Sequence, residues 1–350
     1  MTKKKHTKFY PTVSVCTPTF NRRPFINVMF ECFKNQTYPR DKTEWIIIDD
    51  GTDKIKDLVE KSGISQIKYF ELDTKLTLGA KRNLMHEKTT GDIIVYMDDD
   101  DYYPPERIQH AVDMLMSNKE ILIAGSSEMY VYFKHINKMY QAGPYNQNHA
   151  TAATFAFRKE LLNITRYNET KSLAEEKEFL KNYSIPMIQL DPLKTILVFS
   201  HIHNTFDKKE LLKTESEFFK PSDKTVEYFI KFTKEIHIKK FFLYDIEQVL
   251  EEYKPGLPNL KPDVLKQISE TKKTRLNEEL KFHHSNFIRC VLELENSTID
   301  VKPITEVECL KKLNMDLIIQ LRNLSKMYEE KCAELNKRQT GEWDLVEKTE

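Results

Sequence analysis

Residues 91–101 read GDIIVYMDDDD, an apolar run from Ile93 to Met97 leading straight into four aspartates. A run this short, rich in β-branched and aromatic side chains and unbroken by polar residues, is the signature of a strand buried on both faces, as in a parallel sheet. Four carboxylates at its tip repel one another, so something positive must offset them. Strand geometry sends Asp98 and Asp100 to one side and Asp99 and Asp101 to the other. An i, i+2 pair can then aim at one divalent cation and its phosphate ligands, and Mg²⁺ or Mn²⁺ suits oxygen donors. The ordinary alternative is a solvated acidic turn, or Asp101 capping a helix that begins near Pro105.

The flanking sequence supplies the rest of an α/β sheet. Strands are expected over Thr12 to Thr17, Glu44 to Asp50 and Ile67 to Leu72, with helices over Pro24 to Asn35, Lys54 to Ser62 and Leu78 to Lys88 between them. This alternation of strand and helix predicts a doubly wound, mostly parallel sheet. A helix near Pro105 to Asn118, strands at Ile121 to Ser126, Met129 to Phe133 and Ala153 to Arg158, and a helix around Ala174 to Asn182 continue it. In such a sheet, ligands bind beyond the carboxyl ends of the strands. Three polar strand ends converge there: Thr17 to Asn21, Asp49 to Thr52, and the aspartate tetrad. Asp-Gly is a common turn after a strand, yet in this company Asp50 becomes a candidate acceptor for an N–H on a nucleobase edge. Lys81 and Arg82, at the start of the helix after Gly79, could face phosphate.

Composition narrows the function classes. The 350 residues carry 54 basic and 54 acidic side chains, so bulk attraction to nucleic acid or an anionic membrane is not expected. Apolar runs stop at about five residues, far below the roughly 20 of a membrane-spanning helix. No apolar segment follows the basic start MTKKKHTK, so a secretory signal is not expected and a cytoplasmic protein is the default. Five scattered cysteines (Cys16, Cys32, Cys290, Cys309 and Cys332), without a CxxC pair, argue for reduced thiols rather than disulfides or structural zinc.

Beyond about Phe206 helical periodicity dominates, punctuated by Pro255 to Pro262. The chain is therefore divided into a basic tail at 1–10, a catalytic domain at 11–206 and a mainly helical region at 207–350. Near 305–337, Leu310, Leu313, Leu317, Leu321, Leu324, Tyr328, Cys332 and Leu335 follow an 11-residue repeat. Such an amphipathic stripe ordinarily packs on its own chain, though it could join a second copy.

The segments TVSVCTPTFNR, IIIDDGT, LGAKRNL, GDIIVYMDDDDYYPPERI, TFAFRKELL and AEEKEF, in this order and spacing, resemble the family 2 glycosyltransferases of GT-A fold across about residues 11–205. The resemblance implies an inverting, metal-dependent transfer of a sugar from a nucleotide donor, UDP-linked first of all, to a hydroxyl of a glycan, protein or lipid-linked acceptor. It places Thr17, Pro18, Thr19 and Asp50 on the nucleoside, Asp100 on the metal, and Asp99 or Asp98 near the ribose, with Asp98 a second candidate metal ligand. Glu176 takes the position of the catalytic base, with Glu175 as the alternative; glutamate here replaces the family's aspartate. His203, or His201 two residues earlier, would complete the metal shell. Two readings compete: a nucleotidyltransferase, which would need a glycine-rich phosphate loop that is missing, and a catalytically degenerate scaffold built around the helical region.

Overall fold

The computed structural model describes residues 9–213, 215–231 and 235–296, with 319, 320, 322–324 and 326–331 of the C-terminal part. Its first strands are β1 (Val13–Thr19), β2 (Thr43–Asp49), β3 (Ile67–Glu71) and β4 (Ile93–Tyr96). With β5 (Ile123–Gly125), β8 (Ala156–Arg158) and β9 (Met187–Gln189) they form a seven-stranded sheet in the order β3-β2-β1-β4-β8-β5-β9. The β3-β2-β1-β4 stretch is parallel throughout, and β8 runs antiparallel to both β4 and β5. This is the mixed α/β, parallel-rich sheet that the GT-A resemblance implies.

Burial on both faces follows the alternation of side chains along each strand. Val13 and Val15, Trp45 and Ile47, and Ile93, Val95 and Met97 belong to one buried cluster. Cys16, Ile46, Ile48, Ile94 and Tyr96 belong to the other. Helix α1 (Arg23–Lys34) lays Phe25, Ile26, Met29, Phe30 and Phe33 on the first cluster at helical spacing. The fully buried Trp45 stacks on Phe33 at 4.2 Å and meets Phe30 edge-on at 5.8 Å; Trp45→Ala should cost about 3–5 kcal/mol. The buried free thiols Cys16 and Cys32 sit in this core, and burial pushes the Cys32 thiol up to about 12. The side chains of the other three cysteines lie outside the described residues.

Three expectations change. Met129–Phe133 (β6) leaves the main sheet for a second one, ordered β10-β6-β7-β11, with β7 (Lys138–Ala142), β10 (Leu197–Ser200) and β11 (Phe219–Ser222). The helix expected over Ala174 to Asn182 shrinks to α5 (Glu176–Phe179), because Ala174 before it and Lys181, Asn182 and Tyr183 after it take left-handed backbone angles. The tetrad is not strand: β4 ends at Tyr96, and the aspartates lie in bends where strand alternation no longer applies. The remaining helices are α2 (Lys56–Ser62), α3 (Leu78–Lys88), α4 (Arg107–Ser117), α6 (Ile236–Lys240), α7 (Ile246–Glu252) and α8 (Pro262–Asn296).

Residues up to Thr274 form one compact unit and those from Arg275 another. Most of the stripe at 305–337 lies outside the described residues; those of its residues that are described are helical. Among the described residues, no helix is long and apolar enough to cross a membrane.

Candidate active site

The chain leaves β1 toward β2 and β3 on one side and returns to β4 on the other, so a crevice opens beyond the carboxyl ends of β1 and β4. That crevice holds a cleft. Pro18, Thr19 and Phe20 line it from β1, Asp98, Asp99 and Asp100 from the bend after β4, Lys81 and Arg82 from α3, and Lys261 and Asp263 from the start of α8. Of the residues expected here, Pro18, Thr19, Arg82 and the first three aspartates are brought together. Asp101 is turned away: its carboxylate accepts from the Phe199 backbone N–H at 3.3 Å.

Arginines counter the aspartates. Arg22 Nε lies 3.6 Å from Asp99 and its Nη2 3.2 Å from Asp100, while Arg82 Nη2 lies 3.8 Å from Asp98. His201 Nε2 approaches Asp100 at 3.4 Å. Burial pushes Asp99 up to about 7 against the pull of Arg22. Burial also raises Asp100, but Arg22 and His201 outweigh it and hold that carboxyl well below the usual range. Burial lowers His201 to about 4, leaving it neutral at pH 7.

Several buried polar atoms in and beside the cleft have no hydrogen-bond partner: the donors Arg22 Nη1 and Arg82 Nη1, and the acceptors Asp98 Oδ1 and Asp99 Oδ2. Buried polar atoms are rarely left so. Both ring nitrogens of His203 are also unpartnered, with Arg22, Lys261 and Asp100 in electrostatic reach. His203 is fully buried, and a Cβ on Gly256 would lie 2.5 Å from its Nδ1, so the backbone above it can come this close only because residue 256 is glycine. No group of three or more His, Cys, Asp or Glu among the described residues stands ready as a metal cage. The donor set fits the other mode of Mg²⁺ or Mn²⁺ binding, one or two carboxylates completed by phosphate oxygens.

Two of the expected nucleoside contacts differ in their surroundings. Asp50 is buried at the edge of the cleft, accepting from Leu76 N–H at 2.7 Å and from the Lys81 ammonium. Thr17 instead belongs to the sheet: its hydroxyl accepts from Trp45 Nε1 at 2.9 Å and donates to the Met97 carbonyl at 2.6 Å. Both partners lie in the core of the sheet, and Thr17 is absent from the cleft lining. Asp49 is structural as well, accepting from Gly51 N, Ile55 N and Tyr69 Oη.

The two glutamates before α5 separate by environment. Glu175 is buried and accepts from Arg82 Nε at 2.8 Å. Glu176, the first residue of α5, is half-exposed, and burial together with the Glu175 charge raises its carboxyl to about 7. Arg82 therefore links Glu175 to Asp98, coupling the acidic bend to the α5 loop, while its Nη1 stays without a partner.

Four charged cleft residues escaped the sequence reading: Arg22, Lys75, Lys261 and Asp263. Arg22 stood within a quoted motif without a role. Lys261 and Asp263 come from the segment after Pro255, and only tertiary contacts bring them here. Asn21 Nδ2 donates to the Pro255 carbonyl at 2.9 Å, and Asp263 takes Lys75 Nζ and Ser172 Oγ at 2.6 Å each. Lys261 donates to Thr205 Oγ1 at 3.0 Å, and burial lowers its ammonium to about 7.

Residues 14–175 match the family model "Glycosyl transferase family 2". These residues form a family 2 glycosyltransferase domain. An uncharacterized glycosyltransferase of Haemophilus influenzae is 24% identical over 251 residues, 67% of this chain and 94% of its own length. The poly(ribitol-phosphate) β-N-acetylglucosaminyltransferase TarS of Staphylococcus aureus is 29% identical over 101 residues, 28% of this chain but only 18% of TarS. Among solved structures, the mannosyltransferase PcManGT of Pyrobaculum calidifontis with GDP-Man and Mn²⁺ aligns over 67% of this chain and 70% of its own at 15% identity and a TM-score of 0.45. TarS 1–349 with UDP-GlcNAc aligns over 54% of this chain and 59% of its own at 20% identity and a TM-score of 0.42.

Proposed function

We propose that this glycosyltransferase moves a sugar from a UDP-sugar to an acceptor hydroxyl with inversion, in one in-line displacement. The observation that carries the reading is the pairing of unsatisfied groups in one cleft: buried guanidinium donors on Arg22 and Arg82 beside buried carboxylate acceptors on Asp98 and Asp99. A diphosphate satisfies the first and a divalent cation the second. Asp100, Asp98 and His203 are the residues to hold Mn²⁺ or Mg²⁺, whose chemistry there is neutralisation of charge on the leaving diphosphate. Lys81 and Lys261 add ammonium groups to the same lining. Asp50 faces the base edge, with Pro18 and Thr19 along the nucleoside and Asp99 toward the ribose.

Glu176 takes the acceptor proton. A carboxyl poised near 7 is a general base matched to neutral pH. Glu175 keeps Arg82 in place and Arg82 in turn holds Asp98, so base and donor site are positioned by one linked set of charges. Buried, unpaired thiols at Cys16 and Cys32 accord with a reducing compartment, the cytoplasm.

The test is thermal unfolding of the full chain with UDP, GDP, CDP or TDP, each with and without Mn²⁺. A ligand bound at about 100 times its Kd stabilises the folded state by about 2.7 kcal/mol. A shift of several degrees with UDP and metal is expected. A shift confined to GDP would move the donor to GDP-sugars, and none with any nucleotide would sink the donor site. Release of pyrophosphate rather than a nucleoside diphosphate would make the reaction nucleotidyl transfer.

A further inference from the structure

Outside the donor cleft, four aromatic rings stand in a row. Tyr183 and His149 lie 4.7 Å apart between centroids, His149 and Tyr145 4.4 Å, and Tyr145 and Phe218 5.3 Å with nearly parallel planes. Tyr145 is 43% and Phe218 41% exposed, although both are large apolar rings that ordinarily cover themselves. Tyr183 begins the row within electrostatic reach of Glu176: burial, then the Glu176 charge, holds its phenol above the ordinary value. Beside Tyr145 opens a second pocket of about 330 Å³, lined by Ser127, Glu128, Asn146, Gln147 and Gln189 together with the apolar Pro144, Leu190 and Pro192. That volume falls in the range of small-molecule sites, about 300–1,000 Å³.

The fold spends strain and hydrogen bonds to hold this row. Lys181, Asn182 and Tyr183 take three consecutive left-handed conformations, an arrangement that costs about 1–2 kcal/mol per residue. Gln189 Nε2 donates to the Gln147 and His149 carbonyls at 2.7 and 3.1 Å, and its Oε1 accepts from Ser127 N. Gly143, at φ 83°, donates its N–H to the Phe218 carbonyl at 2.8 Å; a Cβ there would lie 2.0 Å from Ser127 O.

We propose, resting on the glycosyltransferase reading above, that this row and its pocket are the acceptor site, and that the acceptor is a carbohydrate whose pyranose rings pack on the exposed Tyr145 and Phe218 of the row. A pyranose has an apolar C–H face to lay on an aromatic ring and an equatorial rim of hydroxyls to meet amides and carboxylates. A lipid chain would offer no hydrogen bond to the Glu128 carboxylate or to the Asn146 and Gln147 amides. A polyol phosphate would lack the ring face, and no basic side chain lines the pocket to meet its phosphates.

Saturation-transfer NMR on the full chain tests this, with maltose, lactose, cellobiose and diacetylchitobiose as probes and ribitol phosphate as the ringless control. The expected result is saturation of ring C–H protons on at least one disaccharide, weakened at least tenfold in Tyr145→Ala and in Phe218→Ala. In both variants the thermal shift with UDP and Mn²⁺ should match wild type, which also shows that they fold. Undiminished disaccharide signals in both variants, saturation of ribitol phosphate alone, or no probe binding at all would overturn the proposal. Disaccharide binding that depends on Tyr145 in a protein that no nucleotide stabilises would uphold the carbohydrate site while removing the donor reading.

Discussion

Glu175 and Glu176 have the same side chain one residue apart, and environment alone divides their roles. The bond from Arg82 commits Glu175 to structure, whereas the raised carboxyl of Glu176 suits the proton acceptor proposed for it. A base works only when deprotonated, so kcat/KM should climb about tenfold per pH unit below pH 7 and level off above it. Glu176→Gln should remove that limb and lower transfer by about 10²–10⁴-fold, with the nucleotide thermal shift unchanged. A variant with normal transfer would assign the base elsewhere. Arg22 is the opposite case, a fixed charge whose removal exposes others. Arg22→Ala leaves Asp99 and Asp100 buried without their guanidinium, which should cost about 3–5 kcal/mol. Added Mn²⁺ should restore part of the lost Tm, because the guanidinium and the proposed metal share Asp100. A loss that Mn²⁺ does not touch would show that the metal sits away from Asp100.

Helix α3 carries polar side chains where a helix of this fold would ordinarily carry apolar ones: Lys81, Arg82, Asn83 and His86 are all buried. Its first turn delivers the two cations to the cleft and its last packs into the aromatic cluster. His86 Nε2 meets Tyr96 Oη at 2.5 Å, and the ring lies among Phe157, Tyr167 and Phe179. Burial, assisted by the Arg82 charge, lowers this imidazole from 6.5 to about 3. The unfolded chain therefore binds a proton below pH 6.5 that the folded chain refuses, and stability falls as pH drops from 6.5 toward 3, by about 1.4 kcal/mol per unit. Urea unfolding at pH 7 and pH 5 should show this loss in wild type and a smaller one in His86→Phe; equal losses would place the acid sensitivity elsewhere. At the start of α8, Lys261 reaches the cleft from outside the segment that matches the family model. Lys261→Ala should weaken UDP binding by roughly tenfold, the scale of one charge-assisted hydrogen bond, with no loss of Tm, since it removes a desolvated ammonium rather than a core contact. Unchanged UDP affinity would exclude Lys261 from the donor site.

For the whole molecule, the compact unit ends at Thr274 rather than near residue 206. The strand β11 completes the second sheet, the 254–256 turn covers His203, and Lys261 and Asp263 close one wall of the cleft. A chain truncated after Thr274 should fold cooperatively and keep its UDP and Mn²⁺ thermal shift, whereas one ending at residue 206 should lose both. Nucleotide binding by the shorter chain would show that the later segment is dispensable for the donor site.

Local chemistry was enough for the first half of the fold. Short apolar runs alternating with amphipathic stretches can satisfy their backbone and bury their side chains in few ways, and the strands β1 to β4 and the helices between them follow from spacing. The same local rules identified Asp98, Asp99 and Asp100 as residues to watch, because carboxylates at a buried strand end demand a counter-charge; Glu176 came only from the family resemblance. What each one does was decided by partners distant in sequence. Thr17 looks like a site residue until Trp45 and Met97 claim its hydroxyl; Glu175 and Glu176 are indistinguishable until Arg82 binds one of them. The second sheet, the aromatic row and the arrival of Lys261 escaped the sequence reading for the same reason. Their stabilising contacts join segments tens to hundreds of residues apart, and contacts of that range leave no periodicity in the chain.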